Sequence, residues 1–467
     1  MLTFFRINSI FQVITLLALL LGIRLIFIST SLPLLTYELE WMLIGEKLNE
    51  GLNLYSEVLT QVGPLSSYFY QLIDLWAGKN QFVYESIAAL LIFFQTLYFV
   101  FLVNRRNLFN EKNYIAGLVY LIVINASFGF MKLSPALMAN TFFLLALNAT
   151  LRQIEKRDGV GDDVFEAGLF LGIATLFHLP SFIFIFWALL VLFLYTSINI
   201  RQTFMVILAF FMPIFFMYLF FYFKDQNSYF TNIWLFNLIE TFDFSILSIK
   251  DILLALTLPL ALGLLGIVRV LRGHRYNSFQ NRSHQLIIIS SFFALPAFLI
   301  SGLYIPSNII FIIAPLAFFC AGFFIHGKKM LIPESLFLIF FILVLMISVT
   351  GAKPILGIYS NGLANYKVVE SQVADKYQGK RIFVTGPHID AYHNSSMATG
   401  YISWSLAKYD FENPNNYMSL SNIYNNFKKD MPEVIFDKEN VMEKVFKNIP
   451  ELAAKYAKPE KGIYVKK

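Results

Sequence analysis

The chain of 467 residues is 57% apolar, 17% aromatic and only 14% charged, with a formal net charge of +6 and a mean hydropathy of +0.62. An ordinary soluble domain carries about 25% charge, so this composition excludes a soluble enzyme, a disordered chain and a secreted disulfide scaffold. Unbroken apolar runs such as Pro180–Ser197 also exclude the polar/apolar alternation of an outer-membrane barrel, leaving a polytopic helical membrane protein.

The apolar runs predict eleven spans, at roughly 9–32, 81–103, 114–131, 134–151, 164–179, 180–198, 203–223, 252–270, 285–303, 308–326 and 331–351. The first is too long for a signal-peptide core and reads as a retained span. With the N-terminus in the cytoplasm, fourteen basic residues fall in cytoplasmic loops. They are Arg6; Arg105, Arg106 and Lys112; Arg152, Lys156 and Arg157; Arg201; Arg269, Arg272, Arg275 and Arg282; Lys328 and Lys329. Five fall in outer loops: Lys47, Lys79, Lys132, Lys224 and Lys250. The positive-inside rule therefore predicts N-in, and an odd span count places the C-terminus outside. The basic excess is a topology signal and not a nucleic-acid footprint.

Three stretches lie outside the predicted bilayer. Loops 33–80 and 224–251 belong to a transmembrane domain at 1–351. Residues 352–467 are predicted to form a separate, extracytoplasmic α/β domain. Its expected elements are a strand from Arg381 into Gly386-Pro387, a helix Ser419–Lys429, a strand Glu433–Phe436, a helix Val441–Tyr456 and a last strand at Gly462–Val465. No internal repeat is evident, against the repeat-built transporter folds.

Loop 33–80 carries the strongest signals. Residues 37–50 read as an amphipathic helix with Trp41, Ile44 and Leu48 on one stripe and Glu46, Lys47 and Glu50 nearer the polar side. Residues 64–77 read as a second helix opened by Pro64. Both suit the interfacial plane. Glu38 and Glu40 follow the first span closely. Positions two apart on a helix point about 200° from each other, so both address one site only where the backbone is not helical. An extended turn after Pro33 would aim one into a cavity at the membrane surface, as general base or metal ligand. Solvated acids at a helix N-terminus, favoured by its dipole, are the simpler account of the pair from the residues alone.

The segment Tyr37-Glu38-Leu39-Glu40-Trp41, followed by Gly45, by Gly51–Tyr55 and by Gly63-Pro64-Leu65, resembles the first outer loop of the GT-C superfamily. These are the polyprenyl-phosphate-dependent membrane glycosyltransferases, including the protein mannosyltransferase and aminoarabinose transferase groups. The odd span count and the outer α/β tail resemble them too. The chain is also similar over most of its length to a family of membrane proteins common in Bacteroidetes-type bacteria, which does not itself supply a function. The GT-C resemblance implies that an acidic residue of the first loop is the base or a metal-linked carboxylate. Here that residue is Glu40 or Glu38, where the superfamily ordinarily has Asp. It implies a lipid-linked sugar donor, an envelope acceptor, a location in the bacterial inner membrane and room for a divalent cation, with no fixed cofactor.

Further site residues are weighed against plainer roles. Arg24, about two turns from the outer end of the first span, is costly in a bilayer and is either functional or paired with a residue such as Glu85. Lys132, in an outer turn, either meets a lipid phosphate or snorkels. His178, before Pro180, either contacts a pyrophosphate or is structural. Glu57 and Gln61, between the two loop helices, either line the Glu40 cavity or form a plain loop. Glu240 and Asp243 are read as solvated, and His388-Ile-Asp390-Ala-Tyr392-His393 as a loop and not a metal site. There is no phosphate-binding Gly-x-x-x-x-Gly-Lys-Ser/Thr loop and no Gly-x-Ser-x-Gly elbow. The reading is a membrane glycosyltransferase with Glu40 and Glu38 catalytic and Arg24, Glu57, Gln61, Lys132 and His178 binding substrate. The alternative is a non-enzymatic transporter or scaffold of the envelope.

Overall fold

Apolar runs of about twenty residues satisfy their own backbone hydrogen bonds only as helices, and helices dominate the molecule. The computed structural model describes residues 1–29, 33–156, 161–196, 198–236, 246–273, 276–325, 331–352, 367–368, 376–377, 379–387 and 389–467. Each of the eleven expected spans corresponds to a helix. Helix α1 is Ile10–Ser29, α4 Gln81–Arg105, α5 Ile115–Ile124, α6 Pro135–Lys156 and α7 Asp162–Phe177. Helix α8 is Phe184–Tyr195, α9 Ile200–Tyr222, α10 Ile246–Gly273, α11 Ser278–Ile300, α12 Ile313–Ile325 and α13 Leu331–Ala352. Among the described residues seven segments are long and apolar enough to cross a membrane; α5 and the segment Leu179–Tyr195 are apolar but shorter. Two further helices, α2 (Thr36–Asn49) and α3 (Pro64–Ala77), are those predicted in the first loop.

The chain divides into two compact units. The first comprises Met1–Leu32, Phe82–Leu219 and Phe242–Asn365; the second comprises Pro33–Gln81, Phe220–Thr241 and Tyr366–Lys467. In the first unit the segment Pro306–Ile325 is 94% buried, so protein and not lipid surrounds it. Small residues allow such close packing: a Cβ on Gly266 of α10 would lie 2.0 Å from the Phe319 carbonyl of α12. A polar network also crosses the interior. Tyr120 Oη and Asn140 Nδ2 donate to Gln95 Oε1 at 2.9 and 3.0 Å, and Gln95 Nε2 donates to the Leu137 carbonyl at 2.8 Å. These bonds tie three buried polar side chains together across α4, α5 and α6, although Asn140 Oδ1 is left without a partner among the described residues.

The second unit joins the first outer loop to the C-terminal residues. Helices α2 and α3 pack through Trp41 stacked on Tyr70 at 6.0 Å. Gly45 lies where a Cβ would come within 2.6 Å of the Tyr70 carbonyl. The tail holds a five-stranded sheet of order β2-β1-β3-β5-β4, with β1 Arg381–Thr385, β2 Ser396–Met397, β3 Val434–Asp437, β4 Tyr456–Glu460 and β5 Ile463–Lys466. Strands β1, β2 and β3 are parallel, and β5 is antiparallel to β3 and β4. Helices α14 (Trp404–Glu412) and α15 (Tyr417–Lys429) cover the sheet, and Phe383, Phe411, Phe427 and Val445 share its core. The single helix expected over 441–456 is instead α16 (Met442–Asn448), α17 (Pro450–Ala454) and the start of β4. Pro450 supplies no N–H to continue α16 but suits the first turn of a new helix.

Loop and tail are joined by backbone. Leu59 N–H donates to the Gly400 carbonyl at 2.9 Å, and Ser403 N–H to the Leu59 carbonyl at 3.0 Å. Gly400 must be glycine there, since a Cβ would meet the Glu57 carbonyl at 2.1 Å.

Candidate functional site

Helix α2 begins at Thr36, directly after the extended residue Leu35, so both acids of the pair are helical. The extended turn considered for them is not formed. Glu38, in the first turn, is 1% exposed. Glu40 keeps part of its surface accessible. Protein packed around the Glu40 carboxyl nevertheless pushes its pKa from the ordinary carboxylate range up to about 7 by desolvation. The two side chains leave the helix about 200° apart and do not form one paired centre. Nor do they form a joint donor set for a cation. Among the described residues no group of three or more His, Cys, Asp or Glu side chains could hold a metal ion.

Glu57 is occupied structurally. Its Oε2 accepts from the Asn53 backbone at 2.7 Å and its Oε1 pairs with Lys429 of α15. Gln61 lies half-buried ahead of α3. Lys47, read from sequence as part of the polar face of α2, is fully buried. Its ammonium donates to Glu50 at 2.6 Å, to Asp430 at 3.3 Å and to the Met397 carbonyl. Arg381 on β1 joins the same group, with Nη2 at 2.7 Å from Glu50 and 2.6 Å from Asp430. Burial raises the Asp430 pKa, but the Arg381 hydrogen bond, the Lys47 charge and the Thr399 N–H outweigh it and hold the carboxyl below its usual range. Periodicity placed Lys47 correctly on its helix. It gave no sign of Asp430, almost four hundred residues away.

Three further residues fall in the first unit. Arg24 is 7% exposed, and its two terminal nitrogens each donate to the Met131 carbonyl at 3.2 Å. The next residue, Lys132, is fully buried and pairs with Glu85 at 2.5 Å. The snorkelling expected of Lys132 does not occur, because α4 offers a carboxylate inside the protein. Arg24 and Lys132 thus meet at one turn, Met131–Lys132. His178 ends α7 in an extended conformation; it is 9% exposed and stacks on Phe311 with ring centroids 6.1 Å apart. Glu240, Asp243 and His388 lie outside the described residues. Asp390 to Tyr392 form a short 3-10 turn in which Tyr392 Oη accepts from the Val384 N–H at 2.8 Å, the loop role expected of this segment.

The chain's fold, with its apolar helices, two first-loop helices and C-terminal α/β elements, is similar to that of two solved membrane proteins. The chain is similar to the crystal structure of ArnT from Cupriavidus metallidurans bound to undecaprenyl phosphate, with 13% identity, TM-score 0.52, and coverage of 77% of this chain and 68% of that one. It is also similar to the apo oligosaccharyltransferase of Archaeoglobus fulgidus, with 11% identity, TM-score 0.51, and coverage of 95% and 72%. No protein-family model and no curated protein sequence matches the chain.

Proposed function

We propose that the protein is an integral membrane glycosyltransferase that moves a sugar from a polyprenyl-phosphate donor to an envelope acceptor at the outer face of the bacterial inner membrane. The observation that carries this reading is Glu40: an acid on the first-loop helix of a GT-C fold, with its pKa moved to about 7. A base is most effective when its pKa lies near the working pH. In the reaction, the Glu40 carboxylate takes the proton of an acceptor hydroxyl. The oxygen forms a bond to the anomeric carbon, and the bond from that carbon to the phosphate oxygen breaks. Polyprenyl phosphate leaves with the electron pair. The undecaprenyl phosphate bound by ArnT supports this class of donor. Glu38, buried on the same helix, supports α2 and does not act on substrate.

The test is sugar transfer from a lipid-linked donor pool in membranes carrying each variant. Loss of a general base costs about 10²–10⁴ in rate, so Glu40→Gln abolishes measurable transfer at an unchanged amount of folded protein. Glu38→Gln has a smaller effect. Full transfer by both single variants and by the double variant would overturn the assignment and favour an envelope scaffold.

A further inference from the structure

A cleft of about 390 Å³ opens beside the end of α4, in the first unit. Its polar rim includes Asn104, Arg105 and Lys112, and its wall is the apolar side of Leu97, Val100 and Phe101. We propose that this cleft binds the phosphate headgroup of an anionic membrane lipid, with an acyl chain along the apolar wall. The proposal is independent of the transferase reading.

The chain builds the cleft deliberately. Arg105 is the last residue of a 25-residue apolar helix, so its guanidinium belongs at headgroup depth. Lys112 lies seven residues further on and would normally have left. It returns because Asn104 and Asn113 bond each other twice: Asn104 Nδ2 donates to the Asn113 carbonyl at 3.0 Å, and Asn113 N–H donates to Asn104 Oδ1 at 3.1 Å. The turn at Asn107, with φ +49°, folds the chain back, and Gln280 Nε2 holds the Asn107 carbonyl at 2.8 Å. Two cations are thereby fixed on one rim.

The carboxylates of this region are used elsewhere. Glu111 pairs with Arg6 at 3.6 Å and Glu155 with Arg106 at 2.6 Å. Arg105 and Lys112 enter no ion pair among the described residues. The site therefore offers net positive charge over an apolar wall that includes the exposed ring of Phe101. A free phosphate would use the charges alone, whereas a lipid uses both parts.

The test uses the purified full chain in detergent micelles doped with phosphatidylglycerol or phosphatidylcholine, with retained lipid counted by native mass spectrometry. The expected result is selective retention of phosphatidylglycerol, lowered about tenfold or more in R105Q/K112Q. Leu97→Trp keeps both charges but fills the cleft and should lose the lipid as well. R201Q/R272Q removes equal charge from exposed sites elsewhere and should retain it. Retention by R105Q/K112Q, or equal loss by R201Q/R272Q, overturns the proposal. Displacement of phosphatidylglycerol by excess inorganic phosphate would make free phosphate the ligand and overturn the lipid assignment.

Discussion

Glu38 and Glu40 share the N-terminal part of α2, and a helix advances about 100° per residue, so neighbours two apart meet different surroundings. Glu38 is 1% exposed, while Glu40 retains contact with solvent and has a carboxyl pKa of about 7. The raised value has a sign for folding. Between the ordinary carboxylate pKa of 4.5 and about 7, the native state keeps a proton that the unfolded chain has lost. The group therefore lowers stability progressively as pH rises through that window, by at most about 3 kcal/mol above pH 7 at 1.36 kcal/mol per unit. Glu40→Gln removes the ionisation. The variant is then expected to melt at or above the wild-type temperature at pH 8, with the difference shrinking toward pH 4.5. Transfer by the wild type should fall about tenfold per pH unit below 7, as the base becomes protonated. A variant that melts lower than wild type at pH 8, or a rate flat from pH 5 to 8, would contradict the role given to Glu40. The sequence places both acids on the first loop and favours Glu40, which leads into the loop helix; the difference in their burial depends on tertiary packing and is not in the local pattern.

At the scale of elements, periodicity sets each helix locally, whereas partners distant in sequence leave no local pattern. The stripe Trp41, Ile44 and Leu48 is buried as its spacing required, and Gly63-Pro64 opens α3 as proline at a first turn should. Lys47 shows the limit: on hydropathy alone it belongs in water, yet tail residues enclose it in an ion network. Neither the loop pattern nor the tail pattern contains the other, so their union in one compact unit was not legible. The network makes a specific demand. Asp430→Asn removes one carboxylate from Lys47 and Arg381 and should cost about 3 kcal/mol, the lower end of the range for breaking a buried pair. Because the Asp430 pKa is held low, its contribution is complete above the unfolded carboxylate pKa of about 4 and is lost as pH falls through the lower folded value. Melting of the wild type near neutral pH should therefore exceed that of Asp430→Asn by several degrees, the gap closing in strong acid. Limited proteolysis should cut residues 398–403, where Gly400 and Ser403 hold Leu59 by backbone bonds, sooner in the variant. Equal melting at neutral pH would show that the network adds nothing to the stability of this unit.

For the whole molecule, composition sufficed for a helical membrane protein, and eleven apolar runs each became a helix. The span signal weakens where helices are shielded by protein. Helix α5 has ten residues and is buried throughout, so its apolarity serves packing as much as lipid. The polar residues Gln95, Tyr120 and Asn140 sat inside apolar runs and were the available clue to the interior network. Orientation rests on a different physical quantity, the asymmetry of loop charge. Basic residues cluster in the loops that begin or end with Arg6, Arg105, Arg152 and Arg269, and are sparse around Lys79 and Lys132. Insertion machinery retains Lys and Arg in short loops on the cytoplasmic side. We therefore expect the basic loops in the cytoplasm and residues 367–467 outside. Because the first loop and the tail belong to one compact unit, they must share one face, so locating the C-terminus also locates Glu40. A reporter that is active only in the cytoplasm, fused after Lys467, should be silent, while the same reporter inserted after Lys156 should be active. A cytoplasmic signal from the Lys467 fusion would reverse the orientation of both units and move Glu40 to the face where a lipid-linked donor at the outer leaflet cannot reach it.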